Sequence, residues 1–296
     1  MAFAHTPYDG SKQPFTIGAE PLDPARWIEP DDDFLADLAL KDEILRTRFD
    51  ATVQRSGDTR AAEAELQDLF VQELPLHCPQ LYRLRDDGLE IIPAGCVIPL
   101  DTDQRLVACA RLVQEDLCLM RRDERSWRLV AGVLCFPSGW SLAEKIGGDL
   151  DAVHGPVPGF PGRMSDMVCR MFDRLVPDRP VVRWNWSVYG DGSRRQEPSE
   201  EPAWSRFRPD EALARAHLRI ERQTLRRLAR SGDIVFTIRI HSDPLTALAN
   251  HPERLRLVTS LRDQLLALNP EQLAYKGLAS VRDDLVAMLT RMGVEA

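Results

Sequence analysis

The stretch VVRWNWSVYGD, residues 181–191, decides the fold class. It alternates strictly, with Val182, Trp184, Trp186 and Val188 on one side and Arg183, Asn185, Ser187 and Tyr189 on the other. A period of two is the strand signature, because successive Cβ atoms of a strand point to opposite faces. Two later stretches alternate in the same way. HLRIERQTLRRL, residues 217–228, sets Arg219, Glu221 and Gln223 against Leu218 and Ile220, with Arg222 breaking the apolar row. DIVFTIRIHSDPL, residues 233–245, sets Thr237, Arg239 and His241 against Phe236, Ile238 and Ile240. ARSGD, residues 229–233, suits a hairpin loop between them. The expectation is an antiparallel sheet whose polar rows either form a solvated face, as antiparallel sheets often have, or line one concavity.

Working outward, the flanks read as helix. DDDFLADLALKDEILRTRF (31–49) opens on acidic residues suited to a helix N-terminus, and DTRAAEAELQDLFVQEL (58–74) predicts a second amphipathic helix ended before Pro75. LYRLRDDGLEIIP (81–93) predicts a hairpin about Asp87-Gly88, and EDLCLMRRDERSWRLVAGVLCFPS (115–138) two more strands. GWSLAEKIG (139–147) reads as a short helix closed by Gly147. MSDMVCRMFDRL (164–175) is a helix with Met164, Met167, Met171 and Leu175 on one stripe, expected to pack in the core. GDGSRRQEPSEEP (190–202) is too polar for core and reads as a loop. From Pro244 onward the pattern is helical. The fold class is α+β, a mainly antiparallel sheet flanked by helices. Residues 1–30, rich in proline and without periodicity, predict an extended arm, and 31–296 a single domain.

Composition narrows the function. The 296-residue chain carries a net charge of -8, which argues against a general nucleic-acid or acidic-membrane partner. Its six cysteines contain no C-x-x-C, and several sit in apolar runs such as LVACARL and GVLCF, so reduced buried thiols are expected. The same spacing speaks against an iron–sulfur cluster or structural zinc on these cysteines. No secretory signal or membrane-spanning apolar run is visible, which fits a cytoplasmic protein. No G-x-G-x-x-G, P-loop, H-E-x-x-H or nucleophile elbow occurs.

Three features remain as candidates. His154 stands in DAVHGPVPGF (151–160), beside Pro156, Pro158, Gly155 and Gly159. A stiff loop that presents one imidazole suits a metal ligand, although a structural loop histidine is the simpler alternative. One histidine cannot hold a bare metal tightly but can ligate haem iron, where the porphyrin supplies four nitrogens. On the polar sheet face, arginines such as Arg219, Arg222 and Arg239 suit carboxylates such as haem propionates, and Glu221 suits a cationic substrate. His241 lies in line with that face as a competing ligand. Asp116, in QED (114–116), is a further acidic candidate against the alternative of a solvated turn. SRRQ (193–196) and TLRRLAR (224–230) read as solvated basic surface, with docking of an acidic electron-transfer partner as the alternative.

ARLVQEDLCLM, LCFPSGWSLAEKIGGDLDAVHGPVPGF, RWNWSV and LRIERQTLRRLARSGDIVFTIRIHSDPL occur in this order with a spacing that resembles the haem-dependent oxidative N-demethylase family. The resemblance spans roughly residues 15 to 290 and departs from the usual pattern at Ala229, where the family has proline. It implies a PAS-like fold holding non-covalent haem b, with His154 as axial ligand. It implies oxidative removal of a methyl group from a small secondary amine such as dimethylamine, using O2 and releasing formaldehyde. Electrons would come from NADPH through flavin and an iron–sulfur centre on a separate reductase chain. From strand facing, Arg219, Arg222, Gln223 and Arg239 are expected to hold the cofactor, and Glu221 and Asp116 to act on the amine. The alternative within the same fold is a haem or small-ligand sensor without turnover; no output domain accompanies it.

Overall fold

A computed structural model describes residues 3–198, 207 and 213–294. The residues 199–202 of the polar loop lie outside the described residues. Ten strands are present among those described: β1 (Glu20–Pro21), β2 (Val53–Arg55), β3 (Tyr82–Arg85), β4 (Gly88–Ile91), β5 (Cys96–Ile98), β6 (Asp116–Arg122), β7 (Trp127–Val133), β8 (Val181–Tyr189), β9 (His217–Arg227) and β10 (Ile234–Pro244). Seven of them form one antiparallel sheet in the order β1-β8-β9-β10-β6-β7-β2. The chain is therefore mixed α+β around an antiparallel sheet, as the alternating stretches predict.

The three long alternating stretches become β8, β9 and β10, the centre of the sheet. Residues paired across an antiparallel ladder share a face. Arg183 pairs with Gln223 and Asn185 with Glu221, so these four lie together. On the next strand, however, Gln223 pairs with Ile238 and Arg222 with Arg239. Thr237, Arg239 and His241 thus stand on the face opposite Glu221 and Gln223. The expected single polar face is corrected to two, one on each side of the sheet. Arg222 breaks the apolar row of Leu218 and Ile220, as expected, and begins a polar one that continues through Thr224 and Arg226.

Helices cover both faces. Behind the sheet, Trp27, Phe70 and Leu106 join one core with the strands β6 and β7, and Leu257, Leu261 and Leu285 of the C-terminal helices pack on Trp186, Leu218 and Ile220 in a second; on the other face, Leu150, Phe160, Met164 and Val168 lie over the cavity. The helix Arg60–His77 runs through Pro75 rather than stopping before it. Having no N–H, Pro75 leaves the Val71 carbonyl without its intrahelical donor, and the helix passes it by less than one turn before ending at His77. A helix at Arg105–Leu112 and the strand β5 are additions to the sequence reading. Two residues join β3 to β4, and Gly88 follows the turn at φ +157°, where a Cβ would lie 2.2 Å from the Ile98 carbonyl oxygen. All six cysteines are free; Cys78, Cys109, Cys118 and Cys135 are buried as expected, but Cys96 on β5 is exposed. No helix among the described residues is long and apolar enough to cross a membrane.

Candidate functional site

A cavity of about 490 Å³ opens on the sheet face that carries Arg183, Asn185, Glu221 and Gln223. That size falls among small-molecule and cofactor sites. Its walls divide by chemistry. Leu225, Phe236 and Ile238 of the sheet and Val157, Phe160, Met164 and Met171 opposite supply an apolar part. Arg183, Asn185, Glu221, Gln223, Tyr275 and Lys276 supply a polar one.

His154 lies in the wall facing the sheet. It is not held out by the proline loop. It ends a one-turn helix, Leu150–His154, whose N-terminus is capped by the Asp149 carboxylate accepting from the Ala152 N–H. The ring is fixed twice. Nδ1 lies 3.0 Å from the Leu150 carbonyl oxygen, and the imidazole stacks on Phe160 with centroids 4.1 Å apart. A carbonyl can only accept, so Nδ1 carries the proton and Nε2 keeps its lone pair. Burial lowers the His154 pKa to about 4, and the Leu150 carbonyl only partly offsets this. The ring is neutral at ordinary pH, with one nitrogen tied and the other available as a ligand. The following Pro–Gly loop brings Phe160 back to form the stack.

Glu221 is organised by its neighbours. Gln223 Nε2 donates to Oε2 at 2.8 Å and Asn185 Nδ2 to the same oxygen at 3.4 Å. Among the described residues, Oε1 accepts no hydrogen bond. Burial lowers the Arg183 pKa, and the nearby Glu221 carboxylate only partly offsets this. Such a carboxylate suits an alkylammonium ion.

The other expected site residues lie elsewhere. Asp116 is fully buried, and its carboxylate accepts from the Cys135 N–H at 2.8 Å and the Phe136 N–H at 2.7 Å. It fastens the end of β7 and does not line the cavity. Neither is it in a solvated turn: Gln114 and Glu115 are buried with it, bonding the arm at Asp31 and Glu29. Arg219 donates to the Phe136 and Pro137 carbonyls and to Ser138 Oγ, at 3.0, 3.2 and 3.0 Å. It braces the turn that sends Ser138 and Trp140 into the cavity wall, but is not itself in the lining. Arg222 pairs with Glu29 at 2.8 Å, and Arg239 with Asp31 at 2.6 Å, both behind the sheet. His241 is behind it too, and is thereby removed from the cavity.

Of the basic clusters, Arg194 and Arg226 are internal ties, while Arg230 stays exposed as expected of surface. Arg194 pairs with Asp33 and Asp37, and Arg226 grips Glu73 through two bonds of 2.6 Å. In the methionine helix, Met164 and Met171 reach the cavity, while Met167 is exposed, against the expectation of one core stripe. The sequence reading overlooked Tyr275 and Lys276. They come from the helix Pro270–Tyr275 and its cap, distant in sequence, and no local pattern marks them. Lys276 is buried and donates to the Trp186 carbonyl at 2.6 Å.

The sequence model of one protein family, described as haem-dependent oxidative N-demethylase, alpha subunit-like, matches residues 18–286. That range holds the sheet centre, the His154 helix and the cavity's polar wall together. With nearly the whole chain matched, the protein belongs to the haem-dependent oxidative N-demethylase alpha subunit-like family.

Proposed function

We propose that this chain is the haem-binding, amine-oxidising subunit of an oxidative N-demethylase. The observation that carries the reading is His154: its Nδ1 is committed to the Leu150 carbonyl, its ring is neutral, and it lies in the wall of a cofactor-sized cavity. This is the donor set a haem iron requires from a protein. Apolar side chains on both sides suit the macrocycle, and the cations Lys145, Arg183 and Lys276 in the wall suit propionates. Arg219, Arg222 and Arg239 are not part of that proposal, because their guanidinium groups are engaged outside the cavity. When bound, haem supplies the redox and O2 chemistry that the side chains cannot.

The chain's own residues then have defined tasks. Glu221 holds a small secondary ammonium ion at Oε1, while Asn185 and Gln223 fix the carboxylate through Oε2. Glu221 is also placed to take the ammonium proton, giving the neutral amine that oxidation requires. Phe236 and Ile238 keep the methyl groups in a dry part of the cavity. The proposed overall reaction consumes O2 and releases formaldehyde. The electrons come from a separate NADPH-linked reductase carrying flavin and an iron–sulfur centre. A PAS-like relationship of the sheet fits this reading.

The test is absorption spectroscopy on protein expressed with a haem precursor. Wild type is expected to show a Soret band that dimethylamine shifts, and O2 uptake when a reductant is supplied. His154→Ala is expected to lose or displace the band. A haem protein that responds to gas but not to amine would be a sensor, and no haem uptake by wild type would overturn the proposal.

A further inference from the structure

On the sheet face away from the cavity, the arm brings His5 and Glu29 against β10 beside His241. One donor atom from each of the three lies within 4.8 Å of the other two. His5 Nε2 is 2.5 Å from Glu29 Oε1, and the His5 and His241 rings meet edge to face at 5.0 Å. His241 is only 8% exposed, yet its Nε2 has no hydrogen-bond partner. A buried ring nitrogen left without a partner is costly unless something occupies it. Its other nitrogen, Nδ1, faces Asp31 Oδ2 at 3.6 Å, and Arg239 holds that carboxylate in place. A carboxylate behind one histidine nitrogen is the arrangement that presents the other to a metal ion.

We propose that His5, Glu29 and His241 form a site for a divalent cation of the zinc class, which staples the N-terminal arm to β10. Two imidazoles and one carboxylate select Zn2+ or Co2+ over Mg2+ and Ca2+, which take oxygen shells. At zinc bond lengths, tetrahedral donors lie about 3.3 Å apart. The His5–Glu29 pair therefore opens and the wider pair closes, which side-chain rotation can supply. Glu29 Oε2 stays with Arg222, leaving Oε1 for the cation. The guanidinium groups of Arg222 and Arg239 oppose a cation here. Glu29, Asp31 and the buried Glu115, whose carboxylate accepts from the Glu29 N–H, offset them. The cluster shares no residue with the cavity wall, so it stands or falls independently of haem.

The test is zinc binding by full-length protein freed of metal with a chelator. Equilibrium dialysis is expected to give one tight Zn2+ per chain in wild type and in His154→Ala. The His5→Ala/His241→Ala double variant should lose at least about 100-fold in affinity, the upper end of what removing an outer-shell partner costs. X-ray absorption at the zinc edge of wild type needs no variant. It is expected to show a nitrogen and oxygen shell with imidazole scattering. Equal zinc uptake by wild type and the double variant would overturn the site, and so would a sulfur shell, which would put the metal on a cysteine such as Cys96.

Discussion

Asp116→Asn separates a structural carboxylate from a catalytic one. The substitution preserves shape, so no cavity forms, but it changes what the side chain can accept. Asp116 takes two buried backbone N–H groups, from Cys135 and Phe136. An amide offers one oxygen, so one N–H would meet an NH2 group. A hydrogen bond to a charged group is worth about 1.5–3 kcal/mol, and an orphaned buried donor costs about 1–3 kcal/mol. Part of this loss is returned, because burial raises the Asp116 pKa and the ionised form itself carries a desolvation cost. The net destabilisation is about 2–4 kcal/mol on these magnitudes. For a chain of this size that is roughly 3–6 °C in Tm. Circular dichroism during heating and urea titration reads both quantities, and amine-dependent O2 uptake below the new Tm should persist. An unchanged Tm and urea midpoint with demethylation abolished would refute the reasoning and return Asp116 to the reaction.

Glu221→Gln is expected to leave the resting haem spectrum and Tm near wild type and to raise the amine KM at least about tenfold, since one ion pair in a partly dry site is lost; unchanged KM would exclude Glu221 as the ammonium partner. Gly88→Ala should cost more than about 2 kcal/mol, because the new Cβ collides with the Ile98 carbonyl, and urea unfolding measures it. Acid should destabilise the fold in two stages. The folded pKa values of His154 and His241, about 4 and 3, lie below the unfolded value near 6.5, so the unfolded chain binds protons first and stability falls as pH drops below about 6.5. Glu29, lowered to about 2 with His5 and Arg222 as partners, adds a loss as pH falls below about 4.5. A urea midpoint that is flat from pH 7.5 to 4 would contradict these shifts.

The strands at the sheet centre were legible because period-two alternation survives any tertiary context. Their mutual facing was not. Alternation assigns each residue to one of two sides of its own strand, whereas the side shared with a neighbour depends on ladder register. Here the turn sets that register, with the Leu228 N–H donating to the Asp233 carbonyl and Gly232 at φ +74°. Polarity misled because β9 carries charge on both faces, one toward the cavity and one toward the N-terminal segment, whereas β10 carries charge only on the second. Asp116 was a reasonable candidate because its partners lie 19 and 20 residues away and are backbone groups, which no side-chain pattern reveals. Arg105–Leu112 escaped as a helix because a short apolar run fits helix or strand equally. For His154 the sequence carried the residue but hid its support: Asp149 capped a turn too short for periodicity to register.

Glu221 and Arg222 are neighbours in the chain, yet one looks into the cavity and the other is locked to the arm through Glu29. The strand β9 is thus a two-sided ruler whose marks cannot be moved independently. Deleting one residue between Arg219 and Glu221 would bring Arg222 into the cavity and push Glu221 against the charged groups behind the sheet. Point substitutions at these positions can be tolerated one face at a time, but a change of length in β9 exchanges both at once. Variation in the length of such a chain is therefore confined to its loops, and β9 and β10 should keep their spacing in any working relative.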